Sequence, residues 1–202
     1  FTAISDIAPR TTWTGFPDVF HPKFRAYCEF EARRRCAQMR TDPWLIGYFL
    51  DNELEWFGKN GSECGLVDET MKKPADHPAK RALVAFLGKR YPSIDGLNRA
   101  WGVHVGSYDE LAGSTVPLAT TTAAGKRDRL DFVRLIADRY FAITSAAIRK
   151  ADPNHMVIGC RFAGYAPEAR AAAVAAVIAP LDPRHVLLPD TPIGGGDLGR
   201  RL

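Results

Sequence analysis

At 202 residues the chain is long enough to bury a core, and 46% hydrophobic with 25% charged residues is ordinary for a globular protein. Its net charge of +4 is mild and spread along the sequence, which argues against nucleic acid as a partner; the one basic run, Arg33-Arg34-Arg35, falls in a helical stretch and reads as a solvated face. No apolar run is long enough to span a bilayer, so no membrane partner is expected.

The chain opens with Phe1–Ile7, a loosely alternating run that predicts a strand. A polar and aromatic loop follows to Phe20, holding Trp13. His21-Pro22 starts a helix, since proline suits a first turn, and Phe24, Tyr27, Cys28, Ala32 and Cys36 recur at helical spacing. That helix should end before Asp42-Pro43, because a residue preceding proline is pushed out of the α region. Trp44–Leu50 is then a short aromatic and branched run without polar alternation, the pattern of a strand buried on both faces in a parallel sheet. Residues 54–78, with three glycines and two prolines, read as a long loop.

Short helices are expected at Ala79–Tyr91, Ile94–Trp101 and Tyr108–Ala112. A longer one, Lys126–Ala151, carries an apolar stripe at i, i+3, i+4, i+7 and stops at Asp152-Pro153-Asn154. Met156–Cys160 predicts a second short apolar strand, with Arg161 and Tyr165 at and beyond its carboxyl end, and an alanine-rich helix follows over Glu168–Ala179. Strand and helix alternate throughout, which predicts an α/β fold with parallel strands and crossover helices. From about Leu181 onward the sequence does not read as another strand and helix, so residues 1–180 form the expected domain and 181–202 an irregular tail.

Four widely spaced cysteines without a C-x-x-C pair predict free thiols. The five histidines show no ligand spacing, and neither a metal nor another cofactor is expected. The first residues lack a basic start followed by an apolar core, so no signal peptide is visible. The chain also opens without methionine, inside a strand-like run, as a cut within a longer protein would.

The most informative junction is Asp51-Asn52-Glu53, where polar residues follow the first apolar strand abruptly. In α/β barrels, active-site side chains project from the carboxyl ends of strands. Cleaving a glycosidic bond needs a carboxylic acid to protonate the leaving oxygen and a second carboxyl across the anomeric carbon. Glu53, framed by Tyr48, Phe49, Trp56 and Phe57, is the candidate acid. Asn52 both donates and accepts hydrogen bonds, which suits a sugar hydroxyl. Exposed indoles such as Trp13 and Trp56 would stack on a pyranose, and Asp51, Arg161 and Tyr165 complete the candidate substrate contacts. The same trio also serves as a helix cap or turn in many proteins.

The stretch Asp42-Pro-Trp-Leu-Ile-Gly-Tyr-Phe-Leu-Asp-Asn-Glu53 resembles the fourth strand of clan A glycoside hydrolases, above all the β-agarases and family 42 β-galactosidases. Further segments resemble those families in the same order: Phe16–Phe24; Arg90-Tyr91 with Leu97-Asn98-Arg99-Ala100-Trp101-Gly102; and Ile148–His155 with Gly159-Cys160-Arg161-Phe162. The resemblance covers roughly residues 1–170. It implies a partial (β/α)₈ barrel spanning strands three to five, shorter than the roughly 250 residues a whole barrel needs. It also implies a carbohydrate substrate and retaining hydrolysis, with Glu53 as acid/base and Asn52 holding the hydroxyl beside the anomeric carbon. The nucleophile it implies, a glutamate ending strand seven, matches no residue here, so the chain alone should be inactive. A non-catalytic carbohydrate-binding module, a mannanase or glucanase of the same clan, and a plain α/β protein remain as alternatives. Polysaccharide degraders are commonly exported, which makes a secreted or periplasmic location the one to test for the parent protein.

Overall fold

The computed structural model describes residues 16–56, 62–162 and 167–178. The expected strand at Phe1–Ile7 and the tail from Leu181 lie outside them. In chain order the elements are α1 (Phe24–Cys36), β1 (Gly47–Asn52), α2 (Gly65–Met71), α3 (Pro78–Arg90), α4 (Ile94–Trp101), α5 (Tyr108–Gly113), α6 (Ala123–Ala151), β2 (Met156–Arg161) and α7 (Pro167–Ile178). Two compact units emerge among the described residues. One gathers residues 22–54 with those from 136 onward; the other gathers 16–21 with 55–135.

In the first unit β1 and β2 pair in parallel, with Gly47 opposite Met156 and Asn52 opposite Arg161. Gly47 is needed there, because a side chain would run into the Met156 carbonyl. The register shifts along the ladder, and Gly159 takes up the irregularity at φ 100°. Tyr48, Leu50 and Val157 turn toward α1 and α6, packing on Ala32, Cys36, Ala147, Ile148 and Ala151. The expectation of a strand buried on both faces is corrected here. Phe49, Met156 and Ile158 are exposed, and so are Trp44 and Ile46 ahead of β1. Among the described residues helices cover only one face of this two-stranded sheet, and an apolar run alone does not say how many faces are covered.

α1 stops at Cys36, short of the Asp42-Pro43 limit. Tighter turns follow it, with Met39 N–H bonded to the Cys36 carbonyl and Asp42 N–H to that of Met39, both at 2.9 Å. Arg34 and Arg35 lie on its open side and pair with Glu31 at 2.7 and 2.8 Å, the solvated face the sequence suggested.

The Asp152-Pro-Asn-His155 turn locks β1 to the entry of β2. Asp152, fully buried, accepts from the Tyr48 hydroxyl at 2.6 Å, from the His155 ring at 2.7 Å and from the Asn154 N–H at 2.9 Å. The other ring nitrogen of His155 lies 3.0 Å from the Asp42 carbonyl. A carbonyl and a carboxylate both only accept, so the ring sits here as an imidazolium donating from both nitrogens.

The second unit is built of helices. α4 starts at Ser93, whose hydroxyl accepts from Gly96 N–H at 3.2 Å, and ends at Gly102 in the left-handed conformation at φ 67°. Asp128 of α6 is its hub, accepting from Arg90 (2.5 Å), the Tyr91 hydroxyl (2.6 Å) and the Trp101 indole (2.8 Å). Asn98 clamps the backbone of Val105 through both amide atoms. The Arg90-Tyr91 and Leu97–Gly102 segments are thus scaffold. α2 falls inside the stretch read as loop; it forms because Leu66, Val67 and Met71 are buried, a tertiary gain that the glycines around it conceal.

Candidate active site at the carboxyl end of the sheet

The end of β1 is set by residues two apart. Val157, Tyr48 and Leu50 hold the strand against its helices, and the chain leaves the ladder at Asn52, whose side chain is exposed. The next residue, Glu53, donates its N–H to the Arg161 carbonyl at 2.9 Å. It has φ 60°, the one non-glycine positive φ among the described residues. The left-handed region costs a glutamate about 1–2 kcal/mol, because Cβ crowds the following carbonyl. The strain sits on the residue that the sequence singled out, at the strand end where α/β folds place their chemistry.

The Glu53 side chain is 35% exposed, and its Oε1 lies 3.9 Å from the Arg161 guanidinium, itself 62% exposed. An ion pair this long and this wet contributes little to stability. Its consequence is local: an exposed positive charge beside a reachable carboxylate. Asn52 and Arg161 stand opposite one another in the ladder, so the amide, the carboxylate and the guanidinium share one end of the sheet.

Asp51 is placed differently. Its Oδ2 accepts from the Tyr140 hydroxyl of α6 at 2.5 Å, and its Oδ1 is shut away from solvent without a hydrogen bond of normal geometry. Burial pushes its carboxyl up to about 6, against the opposing effects of the Tyr140 hydroxyl and the Leu54 N–H. Burial also drives Tyr140 well above the usual tyrosine range, with the Asp51 charge adding to it, and raises the Cys160 thiol on the neighbouring strand. The expectation of Asp51 as an open sugar contact is therefore not what the geometry presents: the carboxylate faces protein. Tyr140 was not singled out from the sequence, although a tyrosine on the apolar stripe of a long helix needs a partner for its hydroxyl.

Trp56 belongs to the second unit and is 1% exposed, with its ring edge-on to Phe16 at 4.7 Å and 67°. The expected exposed stacking platform is corrected to a core residue; the large apolar ring gains more from burial than from facing water. Trp13 and Tyr165 lie outside the described residues. All four cysteines are free. No group of three or more His, Cys, Asp or Glu residues that could hold a metal occurs among the described residues.

The family described as Beta-galactosidase (glycoside hydrolase 42) matches residues 16–171. Among curated relatives, β-agarase B of Vibrio sp. (strain JT0107) is 32% identical over 165 residues, covering 77% of this chain and 17% of that protein. A protein named electron transfer flavoprotein subunit alpha, from Chromohalobacter salexigens, is 62% identical over 177 residues, covering 81% of this chain and 37% of that protein. The chain thus spans about a sixth of the length of the agarase and just over a third of the other relative. A solved exo-β-agarase superposes with a TM-score of 0.76 at 29% identity, over 88% of this chain and 25% of that one. Another solved agarase gives 0.72 at 33% identity, over 80% and 24%. The α/β architecture with parallel strands is that of a small part of those agarase barrels.

Proposed function

The chain belongs to the glycoside hydrolase 42 family of β-galactosidases, and from that premise we propose that it carries the acid/base of a retaining hydrolase acting on galactose-containing poly- or oligosaccharides. Glu53 protonates the leaving glycosidic oxygen as a carboxylate elsewhere in the protein attacks the anomeric carbon. In the second step Glu53 removes a proton from water, which displaces the enzyme and releases the sugar with its configuration retained. Asn52 holds the hydroxyl beside the anomeric carbon, and Arg161 faces the same end. No residue of these 202 is assigned the nucleophile, so both steps belong to the whole protein. One observation carries the reading: an exposed Asn52 and a half-exposed, left-handed Glu53 end a parallel strand.

The test is Glu53→Gln in the full-length protein, assayed on aryl β-galactosides of graded leaving-group ability and on agaro-oligosaccharides. Loss of general-acid help should cost about 10²–10⁴ in rate for poor leaving groups and far less for activated ones at the first step. Azide, which needs no deprotonation to attack, should restore turnover with an activated substrate and give a glycosyl azide of retained configuration. Equal losses on all substrates in a folded variant, with no azide rescue, would sink the assignment.

A further inference from the structure

A buried carboxylate with one idle oxygen is costly unless something requires it. Asp51 is such a group, two residues before Glu53, and an apolar side chain would fill its site at lower cost. One contact explains its presence: its Oδ2 takes the Tyr140 hydroxyl at 2.5 Å. Two residues onward, Glu53 leaves the strand at φ 60° and ties its own N–H to the Arg161 carbonyl on β2 at 2.9 Å. The strained residue is thus held on one side by the β2 backbone and on the other by a strand end pinned through the Asp51 side chain. Tyr140 anchors the arrangement on α6, a helix of 29 residues, so the aim of Glu53 is set by rigid elements on both sides.

We propose that Asp51 is a positioning residue which, braced by Tyr140, holds the left-handed turn at Glu53 and so fixes the direction of the acid/base carboxyl. This rests on the reading of Glu53 given above. A carboxyl misplaced by an ångström transfers its proton poorly yet leaves substrate binding intact, so the signature is a fall in kcat with little change in KM.

The experiment compares Asp51→Asn, Asp51→Ala, Tyr140→Phe and the Asp51→Ala/Tyr140→Phe pair in the full-length protein, with Glu53→Gln alongside. For aryl galactosides with poor leaving groups, Asp51→Ala should lower kcat about tenfold to a hundredfold with KM nearly unchanged. Asp51→Asn keeps an acceptor for Tyr140 and should recover most of that loss. Activated substrates should be spared at the first step, and the double variant should be no worse than Asp51→Ala, because both substitutions break one contact. Equal loss on every substrate, additive effects in the pair, or no rescue by asparagine would overturn the positioning role while leaving Glu53 as acid. If Glu53→Gln itself treats all leaving groups alike, the acid/base reading falls first, and the positioning role falls with it.

Discussion

Two acidic residues, Asp128 in the helical unit and Glu53 at the end of β1, both lie in the stretch that matches one hydrolase family. Their surroundings differ in kind. Asp128 is 3% exposed and takes hydrogen bonds from Arg90, Tyr91 and Trp101. Glu53 keeps a third of its side chain open, has one guanidinium at 3.9 Å and pays for its position in backbone strain. A carboxylate whose lone pairs the protein fills holds a fold together, and one left reachable in a strained conformation is free to meet something else. Satisfaction of hydrogen bonds thus separates these two carboxylates better than residue type does.

The largest effect that distinguishes the two is in stability. Asp128→Ala strands the Trp101 indole and the Tyr91 hydroxyl, each worth about 1–3 kcal/mol when left without an acceptor. The full-length protein should lose about 2–4 kcal/mol, read from denaturation midpoints, while its kcat per folded molecule holds. Should Asp128→Ala instead cut kcat in a protein with an unchanged midpoint, the scaffold reading of the Arg90–Gly102 segment is wrong.

The same division explains how much could be read beforehand. Both described strands and most helices were legible, because apolar period and proline or glycine punctuation are local signals: α4 begins and ends at Ile94 and Trp101 as its cap residues dictate. The strand end at Asn52 and Glu53 is legible because the switch from apolar to polar residues is also local. The place of Trp56 is not legible, since an indole beside a polar stretch looks alike whether it meets a sugar or Phe16. Asp51 is opaque in the sequence for a related reason: its partner Tyr140 is 89 residues away, and only the fold brings the hydroxyl and the carboxyl together. Where the deciding partner is distant in sequence, residue type gives the chemistry available and leaves its direction open.

A smaller effect, opposite in sign, bears on the strain at Glu53. Glycine adopts φ 60° without Cβ crowding, so Glu53→Gly should stabilise the protein by about 1 kcal/mol even as it abolishes proton transfer. A gain in denaturation midpoint with loss of activity is the pattern of a site kept strained for function. A fall in midpoint would mean that the glutamate side chain supports the fold, which would bring Glu53 closer to Asp128 than the geometry suggests.

The smallest expected effect concerns pH, and it probes the turn that positions β1 and β2 together. The hydrogen bond to Asp152, chiefly, holds the His155 ring in its charged form and raises its titration point. Burial alone would raise Asp152, but the Tyr48 hydroxyl, the Asn154 N–H and His155 together outweigh it and hold that carboxyl low. A raised histidine contributes stability fully below its unfolded value of about 6.5 and loses it as pH climbs through the folded value. A lowered aspartate contributes above about 3.9 and loses it as pH falls through its own folded value. The clip is therefore strongest between those limits. The stability difference between the native protein and His155→Gln should be largest near pH 5–6 and shrink toward pH 8, because glutamine neither charges nor pairs with Asp152. A difference that stays flat across that range, or an NMR titration placing the imidazole below its ordinary value, would mean that the ring is neutral in the fold and that the turn is held by Asp152 and Tyr48 without it.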